Sequence, residues 1–205
     1  MKDYNENRLK NYTKIIAVSK TFPIDKILPL IEHGHTDFGE NKVQEAIEKW
    51  TNIKEKYHSI KLHMIGKLQT NKVKFAINLF DYIHSLDNFK LAKKISDEQQ
   101  KNNKKPKIFI QINIGNESQK SGINSNELNE FYNNCINDLN LDIIGIMCLP
   151  PNDNKGDFYF KKMSELIKII SANELSMGMS NDYLEAFKSG STYLRIGSNI
   201  FGSRN

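Results

Sequence analysis

Short apolar, β-branched runs alternate along this chain with longer stretches whose apolar residues recur at helical spacing. The runs predict strands at 14–18, 37–39, 62–66, 82–85, 107–113, 142–147, 174–177 and 193–196. Helical spacing predicts helices at 24–33, 42–57, 71–79, 88–101, 125–139, 157–171 and 181–188. Punctuation supports these bounds. Pro23 suits a helix start, and Asp87 can accept a hydrogen bond from an unpaired first-turn amide. Gly34 and Gly190 fall where helices should stop.

Eight strands with helices between them predict an α/β fold closed as a parallel (β/α)8 barrel, a TIM barrel. An open doubly wound sheet is the competitor, but it normally shows fewer strands at this length. No linker, repeat or low-complexity segment divides the chain, so 1–205 reads as one domain. Such barrels typically run to about 250 residues, so helices and loops here must be short.

A closed barrel gathers the carboxyl ends of its strands at one mouth, where sites form. The distinctive residues sit at those ends. Lys20 follows the first strand, Glu40 and Asn41 the second, and Gly66-Lys67-Leu68-Gln69 the third. Met177-Gly178-Met179-Ser180 follows the seventh, and Arg195-Ile196-Gly197-Ser198 closes the eighth.

Composition narrows the function. Hydrophobic residues make up 39% and charged residues 26%, which excludes a disordered tail. No apolar run approaches the roughly 20 residues that span a bilayer, so no membrane role is expected. The polar start, Met1 to Asn7, is no signal peptide, and Cys135 and Cys148 stand alone. Together these imply the cytoplasm. The net charge of +5 raises nucleic acid, but the lysines are scattered among acids and asparagines. The densest patch, Lys101-Asn102-Asn103-Lys104-Lys105, has no aromatic residue for stacking, so no nucleic-acid partner is expected. A basic surface also favours a phosphate-bearing ligand.

A lysine enclosed at a barrel mouth loses solvation, which lowers its pKa and frees the neutral amine to attack an aldehyde. The local pattern around Lys20 alone still favours an ordinary surface lysine. Gly178, Ser180, Gly197 and Ser198 lie in the two loops where barrel phosphate sites recur, although Gly-Ser turns are common. Arg195, inside the last strand, must find an acceptor. A pyridine nitrogen is one; the Glu40 carboxylate is the structural alternative.

Ala17-Val18-Ser19-Lys20-Thr21, Phe38-Gly39-Glu40-Asn41-Lys42-Val43-Gln44-Glu45 and His63-Met64-Ile65-Gly66-Lys67-Leu68-Gln69-Thr70-Asn71-Lys72 resemble successive motifs of the pyridoxal phosphate homeostasis protein family. So do Lys120-Ser121-Gly122, Gly145-Ile146-Met147, Leu175–Ser180, Gly190-Ser191-Thr192 and the closing stretch from Arg195 to Arg204. The ordered series covers nearly the whole chain. The resemblance implies a fold-type III barrel, like the first domain of alanine racemase, with pyridoxal 5′-phosphate (PLP) held as a Schiff base on Lys20. It implies Arg195 facing the pyridine nitrogen, Ser180, Gly197 and Ser198 around the phosphate, and Asn41 and Met64 beside the ring. Arginine is a poor proton donor, which suits a carrier of PLP in vitamin B6 balance better than an enzyme. Asn205 follows soon after Arg195, so no racemase β-domain is expected to supply an opposing base. PLP-dependent apo-enzymes are the implied recipients, and members are often monomers. Weak racemase or lyase activity is the alternative.

Departures from the pattern are local. Phe22 stands where several members carry a second lysine, and Lys67 where histidine or proline is usual. The segment before the first strand is short, and the basic tail of some members is missing. Lys120 matches a family position suspected of receiving the cofactor; a flexible charged loop is the plainer reading. His63 and His84 read as hydrogen-bonded interior residues, Cys148 as packing, and no cluster suggests a metal.

Overall fold

Alternation of side chains along each strand decides this architecture. The computed structural model describes residues 13–202. The short amino-terminal segment and the final Ser203-Arg204 of the last motif lie outside them. Eight parallel strands, β1 (Lys14–Val18), β2 (Asp37–Glu40), β3 (Lys61–Met64), β4 (Tyr82–Leu86), β5 (Lys107–Ile112), β6 (Asp142–Cys148), β7 (Glu174–Met179) and β8 (Tyr193–Ile196), pair in sequence order. The last strand returns to the first, with Lys14 opposite Tyr193 and Ile16 opposite Arg195, closing the barrel.

Helices cover the outside: α1 (Ile24–Glu32), α2 (Val43–Lys56), α3 (Val73–Leu79), α4 (Phe89–Asn102), α5 (Leu128–Asn133), α6 (Gly156–Leu166) and α7 (Tyr183–Lys188). A last short turn, α8 (Ser198–Phe201), follows β8. Outward strand residues such as Phe38, Leu62, Ile83, Ile108 and Ile146 pack with helix residues such as Ile27, Trp50 and Ile95 into one buried core. Inward residues Ile16, Tyr82, Phe109, Met147 and Tyr193 form a second cluster inside the barrel. No helix among the described residues is long and apolar enough to cross a membrane.

Differences from the expected elements have local causes. The helix expected over 125–139 breaks into a 3-10 turn (Ser125–Glu127), α5 and a π-helical turn (Asn134–Asp138). Asparagines compete with the helical ladder through their own side chains, and Asn124 with Glu127 forms a capping box that starts a new turn. The cap of α4 is Asn88, one residue beyond Asp87; its side chain accepts from the Leu91 amide at 2.9 Å. The helix expected over 157–171 tightens into 3-10 form after Leu166.

Candidate functional site

Lys20 lies at the tip of a tight turn. The Phe22 amide donates to Ser19 O at 3.2 Å, and Thr21 adopts φ of +67°. A β-branched residue in that region costs on the order of 1–3 kcal/mol, so the turn needs outside support. Glu45 of α2 provides it by accepting from the Thr21 amide at 2.6 Å. Burial pushes the Glu45 pKa up, but this amide and Lys49 outweigh it and hold the carboxyl below its usual range. Lys49 also donates to Ser19 O and to Glu40 at 3.0 Å, binding β1, β2 and α2 together. Lys20 is half-buried beside this anchored turn.

The β7–β8 pairing slips between Ser176 and Met179. Gly178 absorbs the slip at φ of +90°, and a Cβ there would lie 2.5 Å from Ala186. The irregularity carries Ser180 over the end of β8, where its hydroxyl accepts from the Gly197 amide at 3.2 Å. Gly197 and Ser198 then open α8.

These segments enclose a cavity of about 660 Å³ at the carboxyl mouth. Lys20, Asn41, Ser180, Arg195, Gly197 and Ser198 line it, together with Val18, Phe22, Ile65, Lys120 and Met179. Six of the seven expected residues therefore meet in one place. Met64 does not join them. It is 1% exposed, packs in the outer core beneath the helices, and borders a separate cavity with Lys67 and Gln69. Strand alternation explains the displacement: Met64 points outward and Ile65 inward.

Arg195 is 4% exposed and points into the barrel. It donates to Ser176 Oγ at 2.6 Å and to Cys148 O at 2.8 Å. Burial lowers the guanidinium pKa, opposed by the Cys148 thiol and the Asp182 carboxylate. Glu40 is not its partner. That carboxylate faces outward and accepts from Ser19, Lys49 and the Trp50 indole.

The structure adds Lys120 to the cavity wall. Its ammonium donates to Pro150 O at 3.1 Å and pairs with Glu117 at 2.6 Å. The loop is tied down rather than loose: Asn113 bonds to both Glu117 backbone groups, and Ile123 bonds back to β5. Its Lys-Ser-Gly motif was the signal that pointed here. Burial pushes the Cys135 and Cys148 thiols up to about 12, which leaves both unreactive. Among the described residues no carboxylate, histidine, tyrosine or cysteine lines the cavity, and no group of side chains could hold a metal. Three cations around small residues and hydroxyls suit a phosphate-bearing molecule with an electrophilic carbon.

Fold and site together define a barrel of the alanine racemase N-terminal domain class, whose pattern matches residues 3–205. A pyridoxal phosphate homeostasis protein of Haemophilus influenzae is 40% identical over 210 residues, covering 98% of this chain and 89% of the relative. One from Aquifex aeolicus is 36% identical, covering 96% and 90%. The chain belongs to the pyridoxal phosphate homeostasis protein family. PipY of Synechococcus elongatus, solved without PLP, superposes with a TM-score of 0.87 at 30% identity, covering 98% of this chain and 97% of that one. PipY with PLP bound gives 0.84 at 30% identity, covering 93% of each. Alanine racemase of Clostridium difficile shares the fold, with a TM-score of 0.73 at 16% identity over 98% of this chain and 56% of that one.

Proposed function

We propose that this chain binds PLP at the carboxyl mouth of its barrel, with the aldehyde held as a Schiff base on Lys20, and serves intracellular PLP and vitamin B6 homeostasis as a carrier. The observation that carries this reading is the convergence of Lys20, Arg195 and the Ser180–Gly197–Ser198 pocket on one cavity. The residues fit the group. A Cβ on Gly197 would make only ordinary contacts with Val18, the nearest at 3.5 Å, so the fold does not itself require glycine there. The space matters for what approaches the backbone. Ser180 and Ser198 hydroxyls and nearby amides suit phosphate oxygens, Arg195 suits the ring nitrogen, and Asn41 and Ile65 would flank the ring. Met64 drops out of the set because it faces the helices.

Bound PLP supplies an aldehyde and a conjugated ring able to accept electrons from an amino-acid carbon. The chain limits that chemistry. Arg195 would donate a hydrogen bond to the ring nitrogen without giving up its proton, which would leave the ring a weaker electron sink. No carboxylate, histidine or tyrosine stands among the described cavity residues to remove or return a proton. These features favour storage and delivery over catalysis. PLP-dependent apo-enzymes are the recipients in this reading. The protein acts as a cytoplasmic monomer without nucleic acid or membrane partners, and its two separate, buried thiols suit a reducing compartment.

The test is direct. Borohydride reduction of the PLP-loaded protein followed by peptide mapping should place the label on Lys20. A label elsewhere, or none, overturns the assignment. Deuterium exchange at the α-carbon of added amino acids, lost in Lys20→Ala, would instead mark a slow racemase or lyase.

A further inference from the structure

Arg195 carries a charge into the barrel with no carboxylate at ion-pair distance among the described residues: Asp182 acts on it only from farther away, and its bonds go to Ser176 and Cys148 O. From Ser176 the hydrogen bonds continue. Ser176 Oγ meets His84 Nδ1 at 2.8 Å, His84 Nε2 meets His63 Nδ1 at 3.0 Å, and His63 Nε2 meets Asp37 Oδ1 at 3.1 Å. Ser176, His84 and His63 are fully buried. The chain thus crosses the barrel from the wall of the cavity to the amino-terminal end of β2.

The ends of this chain fix its direction. Arginine can only donate, and a carboxylate can only accept. Asp37 is held below its usual pKa: burial opposes this, but bonds from His63 and Thr36 prevail. His63 therefore carries its proton on Nε2 and offers a lone pair at Nδ1. That lone pair takes the Nε2 proton of His84, whose own Nδ1 takes the Ser176 hydroxyl proton. The Ser176 oxygen is left to accept from Arg195. Such a chain needs one proton per ring. Burial lowers both histidine pKa values, the His84 value well below the usual one with His63 and Arg195 adding to the effect. Asp37 and Asp81 pull the His63 value upward and Lys14 pushes it down, but burial dominates. Every bond dipole then presents its negative end toward Arg195 and its positive end toward Asp37. Stacking holds the rings in place, with His63 on Tyr82 and His84 on Phe109, both at 4.2 Å between centroids.

We infer that Ser176, His84, His63 and Asp37 form a positioning relay for Arg195, a one-way chain of hydrogen bonds that keeps the Ser176 hydroxyl an acceptor and aims the guanidinium at the ring nitrogen of PLP. The inference rests on the cofactor reading above and extends it to residues that touch no ligand. Without the relay the Ser176 hydroxyl rotates, and its hydrogen can face the guanidinium instead of its lone pairs.

The test compares PLP with its 1-deaza analogue, in which carbon replaces the ring nitrogen, by equilibrium titration of the full chain. The wild type should prefer PLP by roughly tenfold or more, the value of one well-aimed bond from a charged donor. In Ser176→Ala and in His84→Phe, which keeps a ring against Phe109, that preference should fall to within about threefold. Asp37→Asn, which keeps an acceptor but removes the charge, should fall between. His84→Asn returns an acceptor for the Ser176 proton and should recover part of the preference. A variant that merely folds poorly loses both ligands in proportion, so the ratio isolates the aim of Arg195. A wild-type preference that survives unchanged in both Ser176→Ala and His84→Phe overturns the relay. Equal wild-type binding of the two ligands overturns the Arg195 contact and the relay with it. Wild type that binds neither ligand overturns the cofactor reading instead.

Discussion

The outward faces of the strands bury Phe38, Leu62, Met64, Ile83, Ile108 and Ile146 against helices, whereas the inward faces carry Asp37, His63, His84, Gln111, Ser176 and Arg195. Apart from the half-buried Asp37 at the amino-terminal end of β2, both sets are buried, yet they do different work. The outward set is held by non-directional burial and close packing. The inward set holds because each polar group has a partner, and it leads to the cavity. Stability should therefore respond chiefly to outward substitutions, and ligand preference to inward ones. Glu40 is the telling exception. It is an outward carboxylate, fully buried, whose Oε1 anchors Ser19, Lys49 and Trp50 beside the Lys20 turn.

The largest effect expected is on the outward face. Met64→Ala should cost about 2–5 kcal/mol in denaturant unfolding, the usual range for a buried methionine truncation. PLP affinity of the folded fraction should hardly change. A loss of affinity with little loss of stability would return Met64 to the ring's side and break the contrast between faces.

Acid should strike the inward face next. Burial holds His63 and His84 below the ordinary imidazole pKa of about 6.5, so the unfolded chain takes up protons first as pH falls past that value. Stability is fully present above it and declines below it, by up to about 1.4 kcal/mol per pH unit for each ring that gains a proton only on unfolding. Denaturant midpoints measured from pH 7.5 to pH 5 test this, and His84→Phe should roughly halve the slope. A flat profile would mean that the rings are protonated alike in both states.

The two faces also differ in how much the sequence disclosed. Apolar periodicity is a local signal, so all eight strands and their order were legible, and β1 and β8 fall on their expected bounds. The cavity was legible because a parallel barrel puts Lys20, Asn41, Ser180 and Arg195 at one end regardless of loop detail. Facing was harder. Met64 and Ile65 are adjacent, and only the register of β3 with β2 decides which one turns inward. Partners were harder still: His84 and Ser176 lie 92 residues apart, and no periodicity links them. Arg195 illustrates the limit. Its need for an acceptor follows from its charge, but whether Glu40 can serve depends on which face β2 gives to that carboxylate, and nothing local marks Ser176 as a partner.

The smallest change in stability should come where the inward face meets the proposed phosphate pocket. Gly197 has φ of −116°, ordinary for any residue, and a Cβ there meets Val18 at 3.5 Å. Gly197→Ala should therefore shift unfolding by less than about 1 kcal/mol. The added methyl occupies the space through which an anion approaches the backbone, so PLP binding should weaken by roughly tenfold, or about 1.4 kcal/mol. Pyridoxal, which lacks the phosphate, should bind the variant and the wild type nearly alike. The ratio of PLP to pyridoxal affinity thus reads the phosphate pocket alone, as the deaza analogue reads Arg195. If Gly197→Ala weakened both ligands equally, the methyl would be disturbing the Lys20 side of the cavity, and the phosphate would have to be placed elsewhere.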